Sequence, residues 1–154
     1  MNEAHLHLIF NHFPLIGTLF GFGIIVFGMV KKNTTIIQTA LVVLLISSLM
    51  AIPTMMTGEG AEEIVEKLGV SHDVIHEHEE LAEKFIWLSR LMGILAIAAL
   101  VLIKKSHKKA MLVISITVLV ALINVIIGAF VGTSGGEIRH TEIRSNTPQQ
   151  EIIK

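Results

Sequence analysis

The chain has 154 residues, of which 52% are hydrophobic, and its mean hydropathy is +0.70. A water-soluble domain of this size would not carry so much apolar surface, so the composition excludes an ordinary soluble protein. The formal net charge is −1 and the chain has no cysteine, which excludes a disulfide, an iron–sulfur cluster and covalently attached haem. The sequence also lacks a phosphate-binding loop, a dinucleotide fingerprint and a nucleic-acid-binding patch.

Four apolar runs are each long enough to cross a bilayer, which requires about 20 apolar residues. They cover roughly residues 9–30, 35–57, 85–103 and 110–132. No basic segment or small-residue cleavage site precedes the first run, so we expect this helix to remain in the mature protein. The pattern predicts an all-α fold, in which residues 1–132 form a bundle of four transmembrane helices in up-down-up-down order.

The first helix is expected to begin near Ala4, before the membrane, and to cross it to Met29. Pro14 is expected to kink this helix or to mark where its membrane part begins. The helix carries a stripe of small residues at Gly17, Gly21 and Gly28. Such a stripe favours close packing between helices and allows a homodimer. Alternatively, the missing side chains leave room for a flat cofactor.

The second helix is expected from Thr34 to about Thr57. Residues 58–70 have the pattern of a short amphipathic helix that Gly69 closes. The third helix then runs from His72 to about Ile103 and measures about 48 Å at 1.5 Å per residue. Because the bilayer core is only about 30 Å thick, its first turns must stand outside the membrane, in an outer-face segment formed by residues 58–84.

The fourth helix is expected from about Ala110 to Val131, with Asn124 as a hydrogen-bonding residue between helices. Gly135 and Gly136 predict a turn at the start of a polar C-terminal tail, residues 133–154. The last ten residues of this tail are expected to be disordered.

The distribution of charge predicts the orientation of the bundle. The two short loops at residues 31–33 and 104–109 hold six lysines and no acidic residue. The positive-inside rule places both loops in the cytoplasm. The N-terminus, the 58–84 segment and the tail then share the outer face, which is the periplasm if the protein lies in a bacterial inner membrane.

The histidines give the strongest functional signal. Seven of the eight belong to the predicted outer face: His5, His7, His12, His72, His76, His78 and His140. The pair His5 and His12 and the pair His72 and His76 each have a spacing that shares one helix face. His78 points about 200° away from His76 and falls on the apolar side of the third helix. Both stay candidates for a site.

Arg90 lies where the third apolar run has already begun. A charge at this depth is costly and usually faces the bundle with a partner. We expect Arg90 to snorkel to the outer interface or to pair with Glu83 or Glu142. Alternatively, it neutralises haem propionates or another bound anion.

Two kinds of site fit histidines at the mouth of a four-helix bundle. One is a b-type haem held by two neutral imidazoles, beside small residues and a cation. The other is a Zn, Cu or Fe site built from histidines and carboxylates. Asp73 and His76 have the spacing of half a di-iron motif, but the second copy of that motif is missing.

Two short motifs carry a family resemblance. "NHFPLIG" at the start of helix 1 and "GTSGGEIRH" after helix 4 resemble uncharacterised bacterial four-helix membrane proteins (DUF2231-like). The resemblance covers the four-helix layout and implies functional residues at His12 and His140, with a histidine near the top of helix 3. The family is linked to haem or redox roles. The "HDVIHEHEE" and "HLH" segments depart from its pattern.

The sequence thus predicts a small b-type cytochrome-like membrane protein that transfers electrons, more readily than a catalytic enzyme. It would exchange electrons with a quinone pool or a membrane redox complex. The expected ligands, in order of preference, are His12, His76, His140, His5, His72 and His78, with Arg90 at the propionates. The alternatives are a periplasm-facing protein that binds Zn, Cu or Fe through His12, His76 and His140, and a cofactor-free accessory subunit of a membrane complex.

Overall fold

The computed structural model describes residues 1–143, and the regular elements of this part are α-helices and a final 3-10 turn, Thr141–Ile143. The helices are α1 (Glu3–Phe10), α2 (His12–Val30), α3 (Thr34–Met56), α4 (Gly58–Lys67), α5 (His72–Lys104) and α6 (Ala110–Arg139). The disorder expected for the last ten residues falls outside the described residues.

The predicted all-helical fold with four long apolar helices is confirmed. The stretches long and apolar enough to span a bilayer are Glu3–Val30, Thr34–Met56, His72–Lys104 and Ala110–Arg139, as in a multi-pass membrane protein. Within the bundle α2 packs on α3 and α6, while α5 packs on α3 and α6, so the four helices enclose one core. Fully buried side chains fill this core, among them those of Ile25, Leu41, Leu44 and Met92.

The first predicted helix is divided in two by Asn11. Pro14 has no N–H group, so the carbonyl of Phe10 cannot receive the regular helical hydrogen bond, and α1 ends there. Pro14 itself lies in the first turn of α2, where a missing N–H costs nothing. The separate helix α1 packs against α4 and the end of α3, which places its side chains above the bundle.

The glycine stripe of α2 packs tightly against α3. A Cβ atom added at Gly21 would lie 2.5 Å from Cδ2 of Leu44, and one added at Gly17 would lie 3.0 Å from Cβ of Ser47. Beside this contact, Oγ of Ser47 donates a hydrogen bond to the Pro14 carbonyl at 2.8 Å. These glycines therefore serve helix packing, and the space beside them is filled by α3 rather than open to a flat cofactor.

The helices α5 and α6 both continue beyond the apolar runs. The helix α5 has 33 residues, or about 50 Å, and it begins at His72 as predicted. The helix α6 continues to Arg139, through the glycine pair where a turn was predicted. The expected hydrogen bond between helices is present, because Nδ2 of Asn124 donates to Oγ of Ser89 at 2.8 Å.

The extension of α6 has a tertiary cause. A Cβ atom added at Gly135 would lie 3.0 Å from Cε1 of the His78 ring, so the bare glycine lets the imidazole of α5 rest on α6. Glycine costs about 1 kcal/mol in a helix relative to alanine. Packing against α5 compensates for this cost, which the local sequence does not reveal.

Candidate functional site

A cavity of about 280 Å³ lies among α1, α2, α3, α5 and α6, at the end of the bundle that carries α1. Four histidines line it: His7, His12, His78 and His140. The rest of the wall is mostly apolar or small, with Pro14, Leu15, Ala51, Ala82, Phe85, Ile86, Val131, Gly132, Gly135 and Gly136. Its other polar side chains are Asn11, Thr54 and Arg139.

His7 is half-buried on α1 and is held by the end of α3. Its Nδ1 lies 3.0 Å from the carbonyl oxygen of Thr54. A carbonyl can only accept, so the ring hydrogen must be on Nδ1. One turn further along the chain, Oδ1 of Asn11 is buried and has no hydrogen-bond partner within residues 1–143. The cavity thus offers an unused acceptor beside an oriented imidazole.

His78 is half-buried on α5 and is held by α6. Its Nδ1 lies 3.0 Å from Oγ of Ser134, and that hydroxyl donates its own hydrogen to the Val131 carbonyl at 3.2 Å. We assign the one hydroxyl hydrogen to the Val131 carbonyl, so Oγ of Ser134 accepts from His78 and the ring hydrogen is assigned to Nδ1. His7 and His78 are close enough to interact electrostatically.

His12 and His140 are more exposed but show the same orientation. Nδ1 of His12 donates to the Leu8 carbonyl at 3.1 Å, and Nδ1 of His140 donates to Oε1 of Glu142 at 2.9 Å. The backbone N–H of Glu142, together with the His140 ring, holds the pKa of the Glu142 carboxyl below its ordinary value. Glu142 is therefore ionised at neutral pH and accepts this hydrogen bond.

The four rings share one chemical property. A neutral imidazole with its hydrogen on Nδ1 keeps a lone pair on Nε2. Metal-ligating histidines have this arrangement: one ring nitrogen binds the metal, and the other donates its hydrogen to an oxygen atom. The cavity is thus surrounded by four potential iron or metal ligands.

The remaining predicted histidines lie outside the cavity. His5 is exposed on α1, and His72 is exposed at the start of α5. The side chain of His76 is 63% exposed, and its ring nitrogens lie 3.9 Å from Glu79 and 3.6 Å from Glu80. Of the two candidates that the sequence left open, His78 therefore faces the cavity and His76 faces solvent.

Arg90 also lies away from the cavity. Its Nη2 is 3.1 Å from Sδ of Met55, and its guanidinium lies 5.1 Å from the centre of the Trp87 ring. Trp87 is exposed, as expected of an aromatic residue at a membrane interface. The arginine that lines the cavity is Arg139, which was not among the predicted site residues.

His7 is the main ligand candidate that the sequence analysis omitted. The spacing between His7 and Asn11 could have indicated this role, because residues four apart share a helix face. Both residues line the cavity. The spacing of His5 and His12 predicted that these two residues share a helix face. The interruption at Asn11 instead places them on different helices.

Two oriented imidazoles, an apolar wall and an arginine are present. The volume of about 280 Å³ is below the 300–1,000 Å³ typical of small-molecule sites, so a porphyrin requires the cavity to widen. Among the described residues, three ligand atoms within 4.8 Å of one another are found elsewhere, on Glu62, Glu66 and His72.

Comparisons with known proteins do not assign a function. No family model, curated protein or solved structure matches the chain. The family resemblance of "NHFPLIG" and "GTSGGEIRH" therefore stays a prediction, and the geometry of the cavity carries the functional argument.

Proposed function

We propose that this membrane protein binds a b-type haem through His7 and His78 and transfers electrons. One observation carries the proposal: four histidines with the ring hydrogen on Nδ1 surround a single, largely apolar cavity. Two of these rings, His7 and His78, are half-buried, belong to different helices and are close enough to interact electrostatically. Their burial favours them over His12 and His140, which also have oxygen partners but are exposed.

Five residues in or beside the cavity have distinct roles in this proposal. His7 and His78 supply Nε2 as ligands, while Thr54 and Ser134 fix the ring orientations. Arg139 supplies a cation for the propionates, in place of the more distant Arg90. A bound haem would supply one-electron redox chemistry, with a potential that the axial ligands and the polarity of the wall adjust.

The charge pattern supports an orientation. If the long helices alternate in direction, the lysine loops at residues 31–33 and 104–109 share one end of the bundle and the cavity lies at the other. The positive-inside rule then assigns the lysine end to the cytoplasm. The cavity and the N-terminus would face the periplasm of a bacterial inner membrane, where a quinone pool and a periplasmic acceptor are both accessible.

An absorption spectrum tests the proposal. Protein purified in detergent from haem-replete cells should show a sharp Soret band and, after reduction, an α-band. The double variant His7→Ala/His78→Ala should lose both bands. The matched control His76→Ala should keep them, because His76 is solvent-exposed on the same helix as His78.

Other outcomes distinguish the competing functions. A colourless protein that contains stoichiometric Zn, Cu or Fe would indicate that these histidines bind a metal ion and not haem. A colourless protein without metal, whose function survives the loss of His7 and His78, would support an accessory subunit and refute the proposal.

A further inference from the structure

A second group of ligand atoms lies outside the haem cavity, where α4 meets the start of α5. Glu62 and Glu66 are four residues apart on one face of α4, and His72 begins α5 after the turn at Gly69. One ligand atom from each of these three residues lies within 4.8 Å of the other two. None of the three lines the haem cavity.

The neighbourhood of this group adds a further oxygen donor. The Glu79 carboxyl, on the second turn of α5, is in hydrogen-bonding contact with that of Glu62, and it also interacts electrostatically with His72. Carboxyl groups held this close repel each other when both are ionised, and a cation between them removes the repulsion. The neighbouring Lys67 does not supply this cation, because its ammonium group pairs with Glu63 at 3.3 Å.

We propose that Glu62, Glu66 and His72 form a zinc site, with Glu79 or water as the fourth ligand. Two carboxylates and one imidazole are a ligand set that Zn²⁺ accepts, at bond lengths of about 2.0–2.2 Å. Tetrahedral ligands at those lengths are about 3.4 Å apart, so the exposed side chains reach the ion by small rotations. The site is independent of the haem cavity and needs none of its histidines.

The position of the site gives it a structural consequence. The helix α4 packs on α1, where Gly60 directly contacts the Glu3 side chain and a Cβ atom added at Gly58 would lie 3.8 Å from Cε1 of His7. A zinc ion that joins α4 to α5 would therefore fix the helix that lies beside His7. Zinc binding should stabilise the outer end of the bundle as any ligand specific for the native state does.

Equilibrium dialysis of the full chain in detergent against ZnCl₂ tests this site. All variants are made in the His7→Ala/His12→Ala/His78→Ala/His140→Ala background, so that zinc cannot use the imidazoles of the haem cavity. The parent should bind one zinc ion per chain. The added pair Glu66→Gln/His72→Ala should weaken binding at least tenfold, whereas the added control Glu63→Gln should not, because Glu63 lies outside the group on the same helix.

Thermal denaturation gives a second readout. Zinc should raise the Tm of the parent and of the Glu63→Gln variant but not that of the Glu66→Gln/His72→Ala variant, with unchanged helical circular dichroism in all three. Equal zinc affinity in the three proteins would overturn the site, and so would an absence of zinc binding by the parent. Neither result affects the haem proposal, which the absorption spectrum of the unmutated protein decides.

Discussion

Oγ of Ser134 on α6 lies 3.0 Å from Nδ1 of His78 on α5, and its hydrogen is committed to the Val131 carbonyl. This contact joins two neighbouring helices at the wall of the cavity. It also determines which nitrogen of His78 carries the ring hydrogen and which keeps a lone pair. A hydroxyl on α6 thus orients the imidazole of His78 on α5.

Ser134→Ala should weaken haem binding about tenfold, because loss of an oxygen partner of a ligating histidine typically costs 10–100-fold in metal affinity. Haem titration of the apoprotein, followed by the Soret band, measures the change. Thr133→Ala is the matched control, since its hydroxyl bonds only within α6, to Ala129. Equal affinities for the two variants would contradict the role of Ser134.

Gly135→Ala should displace the His78 ring, because the added Cβ would lie 3.0 Å from Cε1. We expect a broadened or shifted Soret band and weaker binding. Gly23→Ala on α2 is the control, because an added Cβ there meets nothing within 4 Å and Gly23 does not line the cavity. This control should keep the spectrum and stabilise α2 by up to about 1 kcal/mol, the helix preference of alanine over glycine. Indistinguishable spectra would show that His78 does not bind iron.

Arg139→Gln should weaken haem binding by several-fold, because it removes the cation of the cavity wall. Arg90→Gln should leave the affinity unchanged, since Arg90 contacts Met55 and Trp87 instead. Haem titrations of both variants at low and high salt compare the two arginines. A larger loss in the Arg90 variant would restore the role that the sequence first assigned to it.

Haem binding should weaken as the pH falls from 7.5 to 5. Imidazoles bind metals only when neutral, so protonation of two ligands predicts that the logarithm of the affinity changes with pH with a slope approaching two in the acid range. Affinity that does not change with pH would exclude two histidine ligands.

Glu142 provides the control for this pH dependence. Because its pKa is lowered from the ordinary value of 4.5 in the folded protein, Glu142 contributes stability above that value and loses it only as the pH falls through the lower, folded pKa. Its carboxyl therefore stays ionised from pH 7.5 to 5. Glu142→Gln should leave the slope unchanged.

The positions of the long helices could be predicted from the sequence because apolar runs are local signals. The start of α5 at His72 and the span of α3 follow from such runs and from their flanking polar residues. The end of α6 could not be predicted in this way. Gly135 and Gly136 favour a turn locally, but the contact of Gly135 with His78 keeps them helical.

The choice among the histidines shows the same limit. The predicted topology places seven histidines on one face of the membrane, and His78 lies on the apolar side of its helix. His7 lines the cavity and His5 does not, although both belong to the same short helix α1. The break at Asn11 and the packing of α1 on α4 set the rotation of that helix, and spacing along the chain does not encode this rotation.

By itself, the sequence determined that the chain folds into four long apolar helices and that its histidines gather near their ends, since hydrophobic run length and residue order are properties of the chain alone. Tertiary structure decided which imidazoles meet at one cavity and which nitrogen of each keeps its lone pair. Those features depend on how the helices rotate and pack, and on oxygen atoms such as those of Thr54 and Ser134 that lie 47 and 56 residues away from their histidine partners.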